Sequence, residues 1–156
     1  MSIPAGLAGI TLSGWPLSSV MPPLGALRTA PGSARAHARA VLATWRLGGL
    51  ADAAELVVSE LVTNALEAST APSGGPLYAG GRMAVVGLRL RSDTTRLLIE
   101  VYDTAPGSPV LINAGADAES GRGLLTVHAL TGGRWGWHPL QGQHGKCVWA
   151  ELSAEQ

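Results

Sequence analysis

Hydrophobic and polar positions alternate with two different periods along this chain. From Ala51 to Ser69 it reads ADAAELVVSELVTNALEAS. Projected at about 100° per residue, Ala54, Val57, Val58, Leu61, Val62 and Ala65 fall in one apolar arc, which predicts a helix packed on a core. Glu60, Asn64 and Glu67 form a narrow polar stripe beside that arc. An earlier stretch opens at Pro31 and closes on Gly48 and Gly49, and it too predicts a helix. Ala38, Val41, Leu42 and Trp45 supply its apolar side, while Arg35 and Arg39 share another. A third helical pattern, GRGLLTVHALTGG, starts at Gly121 and is closed by Gly132 and Gly133.

Elsewhere the period drops to two. Met83 to Leu90 and Arg96 to Tyr102 are rich in Val, Leu and Ile, and the short link RSDTT between them predicts an antiparallel hairpin. RWGWHPL and GKCVWAEL predict two further strands, with Trp135 and Trp137 on one face. Residues 1–27 contain Pro4, Pro16, Pro22 and Pro23 and read as a flexible leader ending in a short edge strand near Trp15 to Val20. The segment TAPSGGPLYAGG reads as a mobile loop. The order helix, helix, strand, strand, loop, helix, strand, strand is α+β. It predicts a two-layer sandwich, with helices on one face of a mostly antiparallel, mixed sheet. The expected domain spans 28–152, followed by a tail at 153–156.

Composition narrows the function classes. A chain of 156 residues, 46% hydrophobic and 14% charged, fits one globular domain. Its formal net charge of zero argues against a dedicated nucleic-acid binder, which needs a basic surplus to meet phosphates. No basic residue precedes Arg28, so a secretory leader is not expected, and no apolar run approaches the roughly 20 residues of a membrane span. The single cysteine, Cys147, permits no intramolecular disulfide and reads as a small buried hydrophobe. The expectation is a cytoplasmic protein without direct membrane or nucleic-acid contact.

Three segments could carry chemistry. Residues 51–70 hold Asp52, Glu55, Glu60 and Glu67 but no lysine or arginine. Such a face suits a bound cation or a hydroxyl that must lose a proton, or is simply solvated. Asp103 ends an apolar strand at DTAPGSP, either as a turn former or as an acceptor for a ligand at the sheet end. Gly121 and Gly123 at a helix mouth allow either a tight start or the approach of backbone amides to an anion. No Walker loop or Rossmann fingerprint is present. His37, His128, His138 and His144 lack ligand-like spacing, and no nucleophilic triad can be assembled.

Taken in order, SELVTNA, VYDTAPG and GRGL…V.AL, followed by W…GK.VWAEL, resemble the N, G1 and G2 boxes of the histidine-kinase-like ATPase (GHKL) superfamily. The likeness is greatest to its bacterial anti-sigma-factor serine/threonine protein kinase branch, and it extends over roughly residues 28–152. The resemblance implies a Bergerat-type fold that binds ATP and Mg²⁺ between helices and sheet under a lid at 108–120. It implies that Glu60 is the general base and that Asn64 coordinates Mg²⁺. Asp103 would accept the adenine amino group, Gly107 would close the G1 box, and Gly121, Arg122 and Gly123 would face the phosphates. Ala105, Ala68, Ser69 and Lys146 depart from the family pattern, Lys146 standing where many relatives carry a threonine that supports the adenine-bound water. The implied function is phosphorylation of an anti-sigma antagonist by a protein that also binds a sigma factor, with a homodimer as in many relatives. The alternative is a regulator of the same fold, nucleotide-binding or degenerate, that acts by contact alone.

Overall fold

The computed structural model describes residues 14–79, 81–105 and 119–154. Strand β1, Leu17–Gly25, is followed by helix α1, Ala30–Thr44, a 3-10 turn at Gly48–Leu50, and helix α2, Ala51–Ala68. The short strands β2, Tyr78–Ala79, and β3, Arg82–Met83, precede β4, Val85–Ser92, and β5, Arg96–Asp103. Helix α3, Glu119–Thr131, leads to β6, Trp135–Pro139, and β7, Lys146–Ser153. The architecture is α+β, a two-layer sandwich. Its five-stranded sheet has the order β1-β4-β5-β7-β6, and β2 and β3 pair separately. Every pairing among the described strands is antiparallel, so the parallel component expected of a mixed sheet is not found there.

Each element forms for a local reason. Pro31 sits in the first turn of α1, where its missing N–H is no loss. That helix stops at Thr44, earlier than the paired glycines suggested. Arg46 takes the left-handed conformation (φ 58°), and the Leu47 N–H donates to the Leu42 carbonyl at 2.8 Å. Within the segment read as a leader, β1 is a nine-residue strand that continues through Pro22 and Pro23 to Gly25. It tolerates both prolines because it is an edge strand whose register shifts between Met21 and Leu24. The connector after α2, expected to be a loose loop, carries its own backbone bonds. The Leu77 N–H donates to the Ser69 carbonyl and the Ala71 N–H to the Gly75 carbonyl.

Alternation divides the sheet residues between two environments. Val86, Leu88 and Leu90 of β4, Leu97, Ile99 and Val101 of β5, and Val148, Ala150 and Leu152 of β7 face the helices. They pack with Val57, Val58, Leu61 and Val62 of α2 and Ala34, Ala38 and Leu42 of α1. Burying a side chain such as Leu61 or Ile99 contributes about 1.5–3 kcal/mol. Helix α2 is central, touching α1, α3, β5 and β7. The opposite sheet face carries Arg89, Arg91 and Glu100 together with a small cluster of Tyr102, Leu140 and Cys147. No helix among the described residues is long and apolar enough to cross a membrane.

Candidate functional site

The stripe on α2 is graded in depth. Asn64 is buried (6% exposed), Glu60 is half-buried and Glu67 is exposed. Seven residues separate Val57 from Asn64, so the amide follows the apolar stripe into the interior. Among the described residues its Nδ2 has no hydrogen-bond partner. Leaving a buried amide donor unpaired costs about 1–3 kcal/mol, which a folded core rarely retains without a use.

The charge imbalance of this segment is only partly real. Arg39 of α1 reaches across to pair with Asp52, at 3.2 Å, and with Glu55. Arg35, from the same helix, donates to the Ser59 hydroxyl at 3.0 Å. Those acids therefore meet their counter-ion in the neighbouring helix, which the segment alone did not reveal. Among the described residues no basic side chain pairs with Glu60.

Glu60 instead meets α3. A Cβ placed on Gly123 would lie 2.3 Å from the Glu60 Oε2, so any larger residue would make the carboxylate swing aside from its present position. The acid of α2 and the glycine of α3 are thereby brought together. Gly121 and Gly123 are not in a loop, however. Helix α3 begins at Glu119, which places both glycines inside it and assigns the last two residues of the expected lid, Glu119 and Ser120, to the helix. Helix formation this early leaves Gly121 among the first-turn residues whose N–H groups have no intrahelical acceptor. Gly107 and lid residues 108–118 lie outside the described residues, as does the side chain of Arg122.

Asp103 ends β5 on the helix-facing side, in register with Lys146 of β7. The Lys146 Nζ donates to the Asp103 Oδ2 at 2.7 Å, and the Ala105 backbone N–H donates to the Asp103 Oδ1 at 3.2 Å. Both side chains are buried, Asp103 at 2% exposure and Lys146 at 4%. Burial raises the Asp103 carboxyl above its ordinary value, and the Lys146 charge and hydrogen bonds pull the other way. Gly145 makes the pairing possible. Its φ is 118°, and a Cβ there would lie 1.9 Å from the Asp103 carbonyl oxygen. Thr104 secures the other side, its hydroxyl accepting from the Val85 N–H at 3.0 Å.

Two residues of this corner, Gly145 and the partnered Lys146, were not among the expected site residues. The available signal was an acid ending one apolar strand and a base opening another. Pairing them required the β5–β7 register. Of the four histidines, His128 and His144 are exposed and His37 and His138 are half-buried. His128 accepts from the Trp135 indole at 3.1 Å, and His37 lies 3.3 Å from the Ser19 hydroxyl, with burial lowering its pKa. Cys147 is a free, buried thiol pushed up to about 12 by burial and then by Glu100, which leaves it unreactive.

Chemically, the helix-facing side thus offers a half-buried carboxylate, an unpaired buried amide, a close-packed glycine at a helix start, and a buried acid–base pair. In comparisons with known proteins, no family model matches the chain and no curated protein matches it.

Proposed function

We propose that this chain is an ATP-binding, anti-sigma-factor-like regulator and a Mg²⁺-dependent serine/threonine protein kinase of the histidine-kinase-like type. The observation that carries the reading is Asn64, an amide held in the interior one turn from Glu60 with its nitrogen unpartnered. The residues fit the ligands. Among the described residues no three His, Cys, Asp or Glu side chains are grouped to hold a metal alone. Asn64 would therefore share Mg²⁺ with phosphate oxygens and water through its amide oxygen, while the unpartnered Nδ2 would donate to an acceptor that the ligand brings. Bound Mg²⁺ supplies neutralisation of phosphate charge during transfer.

The chain's own residues do the rest. Asp103 accepts the amino group of the base, and the first turn of α3 presents N–H groups to the phosphates. The absence of a Cβ at Gly123 leaves the Glu60 carboxylate in place to take the proton of the target serine or threonine hydroxyl. The target is an anti-sigma antagonist in the cytoplasm, and a sigma factor is the second protein partner. A homodimer is the expected assembly.

Calorimetry tests the first half. ATP binds in a Mg²⁺-dependent way, and Asn64→Ala weakens that dependence; absence of binding at millimolar ATP overturns the reading. Radiolabelled ATP tests the second. Label passes to a cognate antagonist, and Glu60→Ala abolishes labelling while sparing most ATP binding. A wild type that binds ATP and labels no antagonist is instead a regulator acting by contact.

A further inference from the structure

The Asp103–Lys146 pair raises a question that the nucleotide reading leaves open. Lysine has three N–H donors and no acceptor. Among the described residues Asp103 is the only hydrogen-bond or ion-pair partner of Lys146, and it engages one of those donors. At 4% exposure the ammonium has little access to water for the other two. A buried charge with unused donors carries a desolvation cost that an added acceptor would relieve.

Asp103 is under-filled in the complementary sense. Among the described residues it accepts one bond on each oxygen, from Lys146 and from Ala105, whereas a carboxylate has about four lone-pair directions. Register holds the two side chains together, since Asp103 pairs with Lys146 at the end of the β5–β7 ladder. Gly145, having no Cβ, lets the start of β7 approach the Asp103 carbonyl this closely. The corner therefore offers one acceptor and one donor, side by side and on the helix-facing side of the sheet.

Resting on the nucleotide reading above, we infer that Lys146 is a specificity-determining residue of the base subsite. Its ammonium donates directly to N1 of a 6-aminopurine whose amino group donates to Asp103. A 6-aminopurine has a donor at its exocyclic nitrogen and an acceptor at N1. A 6-oxopurine reverses both, setting an acceptor against the carboxylate and a donor against the ammonium. Lysine thus reads N1 with a charged donor, and it ties the choice of base to the strand register.

The test is a binding series on the full-length protein with Mg²⁺, using ATP, 1-deaza-ATP, which has a C–H in place of N1, and GTP. In the wild type, 1-deaza-ATP binds roughly 10- to 100-fold more weakly than ATP, the range for losing a hydrogen bond to a charged group. In Lys146→Met that ratio falls to about 1, because the donor that read N1 is gone. The wild-type comparison needs no substitution, so it decides the matter even where Lys146→Met does not fold. Equal binding of ATP and 1-deaza-ATP by the wild type overturns the role of Lys146 and leaves the nucleotide reading standing. Tighter ATP binding by Lys146→Met than by wild type does the same, showing that Lys146 obstructs the base. GTP binding as tightly as ATP overturns the stated polarity. Failure of every purine nucleotide to bind the wild type overturns the nucleotide reading itself, and the role of Lys146 with it.

Discussion

One sheet carries two buried ionic clusters on opposite faces, and they are completed to different degrees. On the face away from the helices, the two oxygens of Glu100 accept from the Arg89 Nε and Nη2, both at 3.0 Å, and from the Arg91 Nε at 2.8 Å. On the helix-facing side, among the described residues, Asp103 accepts one bond on each oxygen, and Lys146 gives one of its three donors to it. In the first cluster Glu100 takes three charge-assisted bonds, a bidentate fork from Arg89 and a single bond from Arg91. The second is held in place but left with capacity on both partners. A buried charge that is fully bonded holds a structure together; one with donor and acceptor capacity left over among the described residues suits the base subsite proposed above.

The largest effect separating the two comes from removing Glu100. Glu100→Ala leaves two guanidiniums buried without their carboxylate, and Arg91 and Glu100 are each only 1% exposed. The expected loss is about 3–5 kcal/mol of folding stability, read from urea unfolding. ATP affinity of the remaining folded protein should be unchanged, since the cluster points away from α2 and α3. A loss of stability below about 1 kcal/mol would show that the far-face network does not hold the sheet.

Gly123→Ala acts on the other face with the opposite signature. The new Cβ would sit 2.3 Å from the Glu60 Oε2, so the carboxylate must swing aside. Alanine favours a helix interior over glycine by about 0.5–1 kcal/mol, so stability should hold or rise slightly. Phosphoryl transfer to the antagonist should fall by roughly 10- to 100-fold, the range for displacing a general base. ATP binding should change much less. Equal losses of stability and transfer would mean that the contact between α2 and α3 is packing alone.

What could be read in advance followed the range of the interactions. The α2 pattern was legible because Val57, Leu61 and Asn64 share a face through a local 3.6-residue period. The β4–β5 hairpin was legible because its link is short. The Lys146–Asp103 bond was not, since it joins residues 43 positions apart and depends on β5 pairing with β7. Arg39 pairing with Asp52 and Glu55 was hidden for the same reason, and so a helix that seemed charge-unbalanced is partly neutralised from α1. The end of α1 misled because Arg46, not a glycine, takes the left-handed turn.

The smallest predicted effect concerns protonation of Asp103, and its sign differs between folding and binding. Burial raises this carboxyl above its ordinary value, against the pull of Lys146. An acid whose pKa is raised on folding contributes stability below the unfolded value, and that stability is lost as pH rises through the folded value. Relative to Asp103→Asn, which cannot titrate there, the wild type should therefore gain stability as pH falls through that window. Base recognition runs the other way, because a protonated carboxyl is a poorer acceptor for the amino group and releases Lys146 from its counter-ion. ATP affinity should decline by up to about tenfold per pH unit below the folded pKa, and that decline should be absent in Asp103→Asn. Paired unfolding and binding curves across pH 3.8 to 7 read both trends. Curves that move in the same direction would place Asp103 with Glu100, as a charge that serves the fold alone.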